Sequence, residues 1–241
     1  MRAAGVEAEQ KPDLSPVTEA DRESERIIAA CLEEAFPGDG VLGEEGARKE
    51  SSSGRRWIID PIDGTRSFVR GSPAWSVLIA LEDSAGIAVG VSYLAALGSL
   101  FFASRGAGAW RNSSRIRASA IGDAARAVLC INELEAAAGL PFAGRLLGWM
   151  SRFWAVRSMG GCLDAMMIAQ GQADIWIEPS GKPWDFAALK IVIEEAGGIF
   201  LNFDGGSSIY AGDCAACAPG LEGELRSFLG LAPRSGGQGS T

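Results

Sequence analysis

Asp60 and Asp63 lie three residues apart behind the apolar run Trp57-Ile58-Ile59, with Pro61 and Ile62 between them and Gly64-Thr65 following. Three apolar residues in a row predict a buried strand, and Pro61, which lacks an N–H, is expected to stop it. Acidic side chains are unexpected so close to a core. Gly64-Thr65 predicts a tight turn opening a helix, whose first N–H groups are suited to holding an anion. Two carboxylates and an anion cradle in one short turn make sense if a divalent cation bridges acids to a phosphate. Other acids also end hydrophobic segments: Glu44 and Glu45 follow Val41-Leu42-Gly43, and Asp185 follows Trp184 ahead of an apolar stretch. Each has an ordinary alternative. Glu44 and Glu45 can be solvated turn residues, Asp185 a helix N-cap, and Asp21 the third residue of a capping box begun by Thr18. Brought together without cations, Glu44, Asp60, Asp63 and Asp185 would repel one another strongly. With two or three Mg2+ ions they become a phosphate-transfer site.

The elements that must position these acids follow from the hydrophobic pattern. A helix is expected over residues 14–37, with Ile27, Ile28, Cys31, Leu32 and Phe36 as its apolar stripe. Residues 46–56 are small and polar and read as a mobile loop. Strands are expected at 75–81, 87–94, 100–103 and 106–112, which makes the sheet of the first half antiparallel. The second half alternates strands (127–132, 154–157, 173–178, 199–203) with helices (141–152, 162–170, 185–196, 222–229). The halves divide near residue 115: residues 1–115 carry most of the acids, 116–230 bring Asp185, and 231–241 form a flexible tail.

Composition narrows the chemistry. The 241 residues are 47% hydrophobic and 22% charged, as in an ordinary globular protein, and the net charge of −8 argues against a nucleic-acid partner. A phosphorylated substrate is still allowed, because bound cations invert the local field. Histidine is absent, which removes Ser-His-Asp and Cys-His catalysis and imidazole metal sites together. Oxygen ligands remain, favouring Mg2+, Mn2+ or Ca2+ over Zn2+. The five cysteines show no disulfide pattern, and Cys214-Ala-Ala-Cys217 reads as buried small residues rather than a redox pair. With no signal peptide and no apolar run of membrane length, the chain reads as cytoplasmic, without a membrane partner.

The stretch from Trp57 to Thr65 resembles the first signature of the inositol monophosphatase family, and Trp184-Asp185-Phe186-Ala187-Ala188 through Glu195-Ala196-Gly197-Gly198 resembles its second. Lys11 to Asp21 and Gly43-Glu44-Glu45 are similar to two further elements, in the same order, so the likeness runs from about residue 11 to residue 229. The resemblance implies an α+β fold layered α/β/α/β/α and Mg2+-dependent hydrolysis of a small phosphate monoester. Inositol monophosphate is the first-choice substrate and histidinol phosphate the second; a catalytically silent metal-binding regulator is the reading from another class. It implies that Glu44, Asp60 and the Ile62 carbonyl hold the first Mg2+, that Asp60, Asp63 and Asp185 hold the second, and that Glu44 reaches a third through water. Thr65, hydrogen-bonded to Asp21, would orient the attacking water, with Glu44 part of the same catalytic group. The Gly64 and Thr65 N–H groups would cradle phosphate oxygens, and Asp63 and Asp185 would be counted with them among the substrate-binding residues. Glu178, seven residues before Asp185, would bind a substrate hydroxyl or else simply close its strand. Lys11 matches a lysine on a loop closing toward the metals, Cys162 lies near the substrate-facing turn but reads first as a small core residue, and a homodimer is the family default. The family places a long helix ahead of the Lys11 loop, of which residues 1–5 are read as a remnant. Arg70 stands where inositol-cleaving members commonly have histidine, and Arg70 with Pro73 and Trp75 looks more like the histidinol-phosphate phosphatase branch.

Overall fold

The computed structural model describes residues 7–12 and 15–233; the expected helix remnant at residues 1–5 and the end of the tail lie outside them. A small antiparallel pair, β1 (Glu9–Gln10) and β2 (Pro16–Val17), leads into helix α1 (Glu19–Ala35). Then follow β3 (Gly40–Gly43), β4 (Arg48–Lys49), β5 (Arg56–Asp63), the short helix α2 (Thr65–Val69), β6 (Ser76–Asp83), β7 (Gly86–Leu94), β8 (Ser99–Ser104), β9 (Gly108–Arg111) and β10 (Ser114–Ile116). These strands form one sheet in the order β10-β9-β8-β7-β6-β5-β3-β4, antiparallel throughout except for the β3–β5 pair. The second half supplies β11 (Val128–Ile131), α3 (Leu134–Ala137), α4 (Ala143–Met150), β12 (Ala155–Arg157), α5 (Gly161–Ala169), β13 (Ile175–Glu178), α6 (Pro183–Glu195), β14 (Ile199–Leu201), β15 (Cys214–Cys217) and α7 (Glu222–Leu229). Its sheet runs β12-β11-β13-β15-β14.

Helices α5 and α6 lie between the two sheets, and this explains their sequences. Phe186, Ala187, Ala188, Leu189, Ile191, Val192 and Ile193 of α6 are all buried, the all-round apolarity of a helix covered on both sides. β13 is likewise buried along its length: Trp176 faces the central helices, and Ile175 and Ile177 face the outer core built with α4 and α7. With α1 against β5 on the far side, the layers are α/β/α/β/α, as the resemblance implies. The seat for α6 on the first sheet is a cross-strand row of small residues, Ala80, Gly90, Ala103 and Ala109. A Cβ at Gly90 would lie 2.4 Å from Ile191 Cγ2 and 2.8 Å from the Ala188 carbonyl oxygen. Bare backbone there is what lets α6 come close.

The structure corrects several expectations. Pro61 does not stop β5, which continues to Asp63; the proline sits where the ladder to β6 is interrupted, so its missing N–H costs nothing. Helix α1 starts after Thr18 rather than at residue 14, because β2 occupies the preceding residues. Its buried positions are Asp21 and Glu25, whereas Ile27 and Phe36 of the expected stripe are 48% and 40% exposed and Cys31 is also exposed. The inward face is the row 21, 25, 28, 32, on which Ile28 and Leu32 are half-buried. The polar 46–56 segment contains β4, and Cys214–Cys217, buried as expected, also forms a strand between β13 and β14, where no strand was expected. Burial raises the Cys217 thiol to about 12, the state of an inert core residue.

Candidate active site

Asp60 and Asp63 reach one place because β5 is irregular there. In a regular strand, residues three apart point to opposite faces. Here Asp60 pairs with Leu78 and Asp63 with Ser76, so three steps on β5 match two on β6. That extra residue is a bulge, and it turns both carboxylates to the same side. The Asp60 carboxylate accepts the Ile62 N–H at 3.0 Å, which shapes the bend. Gly64 follows in the left-handed conformation (φ 84°) and caps α2. Asp185 arrives on the first turn of α6, behind Pro183, and its Oδ2 accepts the Lys182 N–H at 2.6 Å. It is therefore inside the helix rather than its N-cap, and free to face Asp60 and Asp63. Carboxylate oxygens of Asp60, Asp63 and Asp185 all lie within 4.8 Å of one another.

Desolvation and mutual repulsion act together on this group. Burial, then Glu44, Asp63 and Asp185, push the Asp60 carboxyl well above the usual range. Asp63 is pushed up to about 6 by burial, eased by the thiol and backbone N–H of Cys162. Asp185 is pushed up to about 7, again by burial and then by Asp63. Among the described residues no lysine or arginine forms an ion pair with any of the three. An all-oxygen set that repels itself and lacks a cation fits a hard divalent ion. Glu44 stands beside Asp60 on the turn after β3, its pKa raised by burial and lowered in part by Lys11. Lys11 Nζ lies 2.7 Å from Glu44 Oε1 and 2.5 Å from Glu45 Oε1, so it is engaged at the site rather than solvated.

Thr65 and Asp21 are brought together from 44 positions apart. Thr65 Oγ1 lies 3.2 Å from Asp21 Oδ1 and 3.1 Å from the Ile62 carbonyl oxygen. Asp21, fully buried, also receives the Thr18 N–H at 2.8 Å and the Thr18 hydroxyl at 2.5 Å on Oδ2. The capping box at Asp21 is realised, and its other oxygen makes the expected hydrogen bond to Thr65. Glu178 closes β13, is 5% exposed, and accepts from Asn132 Nδ2 at 3.0 Å. Burial drives its pKa well up, with Glu133, Asp63 and Asp185 adding to the rise. Glu133, next to Asn132, is one of two non-glycine residues with positive φ (44°) among those described. Arg66 Nη1 approaches its Oε1 at 3.9 Å. Arg70 is exposed at the end of α2.

Sequence reading missed Glu25, Asn132 and Glu133, and it placed Cys162 in the core without its contact to Asp63. Only Glu25 left a signal, one helical turn after Asp21 on the same face.

Comparison with known proteins agrees with this geometry. The profile of the inositol monophosphatase family matches residues 2–229. A histidinol-phosphatase of Mycobacterium tuberculosis is 39% identical over 94% of this chain and 89% of its own length. An inositol-1-monophosphatase of Mesorhizobium japonicum is 38% identical over 80% of this chain and 74% of its own. The crystal structure of the suppressor protein suhB from Bartonella henselae superposes with a TM-score of 0.84 at 33% identity, covering 92% of this chain and 88% of that one. The chain belongs to the inositol monophosphatase family of phosphatases.

Proposed function

We propose that the chain is a Mg2+-dependent phosphomonoesterase, holding two or three ions per site and releasing a small alcohol that carries a positive charge, with histidinol phosphate ahead of inositol monophosphate. The observation that carries the reaction is the convergence of Glu44, Asp60, Asp63 and Asp185 beside the Thr65–Asp21 pair. Glu44, Asp60 and the Ile62 carbonyl would hold a first ion, Asp60, Asp63 and Asp185 a second, and Glu44 a third through water. When bound, the ions supply positive charge to the phosphate oxygens and lower the pKa of the attacking water. Thr65 has a single hydroxyl proton; giving it to Asp21 leaves the oxygen's lone pairs to accept from that water and set its direction. Asp21, buried and held by Thr18, is a fixed acceptor for that proton. The Gly64 and Thr65 N–H groups at the start of α2 would take phosphate oxygens.

The order of substrates follows from the far side of the site. Glu178 and Glu133 lie within electrostatic range of Asp63 and Asp185. Asn132 offers Glu178 a neutral hydrogen bond, and Arg66, which faces Glu133, is 70% exposed and largely screened. A cationic substituent there would draw the raised Glu178 and Glu133 carboxyls back to their charged forms and pair with them, which a neutral polyol cannot do. The histidinol-phosphatase relative, which matches 94% of this chain, supports the same order. The sequence alone placed inositol monophosphate first, on the resemblance to the inositol monophosphatase family. Phosphate release from histidinol phosphate, inositol 1-phosphate and 3′-phosphoadenosine 5′-phosphate, with and without Mg2+, tests both steps. The expected result is Mg2+-dependent release with the highest kcat/KM for histidinol phosphate. A higher kcat/KM for inositol 1-phosphate reverses the order, and no Mg2+-dependent release from any of them sinks the enzyme reading. A homodimer, through the resemblance, and a cytoplasmic setting belong to the same proposal, and sedimentation velocity reads the first.

A further inference from the structure

We infer that Glu25 on α1 is a positioning residue for the turn that carries Glu44; the inference rests on Glu44 being a metal ligand. Glu25 is 3% exposed, and a carboxylate so deeply placed needs partners. It finds them in backbone. Its Oε2 accepts the Glu45 N–H at 2.8 Å and its Oε1 the Ala47 N–H at 2.7 Å. Both donors belong to the turn between β3 and β4. The same turn is tied from its other sides, by Glu44 N–H to the Ile59 carbonyl at 3.1 Å, by Gly43 N–H to the Ala47 carbonyl at 2.8 Å, and by Arg48 donating to the Gly43 carbonyl. Backbone before and after Glu44 is thereby pinned, leaving only its side chain to adjust.

Gly43 is part of the same device. A Cβ there would stand 2.4 Å from the Glu25 carboxyl carbon and from Oε2. The carboxylate passes beneath the strand through space that any side chain would fill. Asp21 lies on the same face of α1, one turn of about 5.4 Å earlier, and both are buried while much of the helix is not. One turn of one helix therefore sets the acceptor for Thr65 and the turn bearing Glu44. A ligand whose turn is loose must be ordered by the ion itself, at a cost to affinity.

The test is Mn2+ titration of the metal-stripped full chain, read by the electron paramagnetic resonance signal of the free ion. Wild type, Glu44→Gln, Glu25→Gln and Gly43→Ala are compared, with thermal unfolding recorded alongside. Glu25→Gln keeps the shape but leaves one acceptor for two N–H groups, and Gly43→Ala displaces the carboxylate without removing it. Both are expected to weaken, by about 10–100-fold, the same Mn2+ binding that Glu44→Gln weakens. In phosphate release, the Mg2+ concentration for half-activity rises while substrate KM at saturating Mg2+ changes by less than about two-fold, because Glu25 meets no substrate. Wild-type Mn2+ affinity in a folded Glu25→Gln, with Glu44→Gln impaired, overturns the inference and spares the ligand assignment. Unchanged binding in Glu44→Gln overturns the assignment and the inference with it. Where Glu25→Gln does not fold, Gly43→Ala decides by the same readout.

Discussion

Asp21 divides its two carboxylate oxygens between two tasks: Oδ2 takes the Thr18 N–H and hydroxyl, and Oδ1 faces Thr65. An amide cannot do both, because it offers one accepting oxygen and an NH2 that only donates. Asp21→Asn is expected to lose about 1 kcal/mol with the cap, lowering Tm by about 2–4 °C. Its kcat is expected to fall by about 100-fold or more, with KM changing far less. Thr65→Ala would reproduce the kcat loss without the cap loss. Steady-state kinetics beside calorimetry separate the two, and an Asp21→Asn enzyme that melts early but keeps its kcat would leave Asp21 as a cap alone. The cap was legible because Thr18 and Asp21 sit three residues apart in one pattern. The bond to Thr65 was not, since nothing local in the chain says which residue 44 positions on will arrive at Oδ1. Glu25 was harder still: it reads as one more charge on a polar helix, and only its distance from Asp21 places it inward. Asn132 and Glu133 follow no pattern and reach the site solely because β11 and β13 are neighbours.

Elements of the first half were legible where hydrophobic alternation meets turn residues, as in β6, whose Ser76, Leu78 and Ala80 are buried in alternation. β5 was not legible to its end, because a proline argues against a strand unless a bulge receives it, and a bulge is a property of the pair β5–β6. β15 failed for a similar reason: Cys-Ala-Ala-Cys has too little side chain to announce a strand, and its place between β13 and β14 is a tertiary fact. Helix α6 was foreseen two residues short at its start, and that matters, since the turn beginning at Pro183 is what holds Asp185. How closely α6 sits on the sheet depends on Gly90. Gly90→Ala would press a methyl against Ile191 and the Ala188 carbonyl, overpacking that costs about 1–3 kcal/mol and lowers Tm by about 2–10 °C. Because the helix must move away as a unit, Asp185 moves with it, and weaker Mn2+ binding is expected in the same variant. A lower Tm with unchanged Mn2+ affinity would show that the helix yields only at its middle.

Across the whole molecule, the acids that make the site are a liability until a cation arrives. Asp63 and Asp185 are pushed up to about 6 and 7 and Asp60 well above the carboxylate range, by burial first and by one another next. Their unfolded values lie near 4. Between about pH 4 and 7 the metal-free folded protein therefore binds more protons than the unfolded chain, so its stability falls as pH rises through that window. Asp164, buried beside Met159 and raised to about 6, contributes in the same direction and is not relieved by a cation. Under the proposed function Mg2+ would bind the deprotonated acids of the folded state, and binding to the folded state alone would add stability that grows with ion concentration. In chelator, Tm is expected to drop by several degrees from pH 5 to pH 8, since one pKa unit is worth about 1.4 kcal/mol per group. With saturating Mg2+ the drop is expected to flatten to the part owed to Asp164 and to Glu178, whose carboxyl burial also raises and which holds no ion, or to reverse. Asp60→Asn removes one of the repelling charges, so it should raise the Tm of the metal-free protein at pH 8 while weakening the Mg2+ effect. Calorimetry over that pH range, with chelator and with Mg2+, checks all three. Parallel curves in the two conditions would mean that these carboxylates are not the groups an ion neutralises.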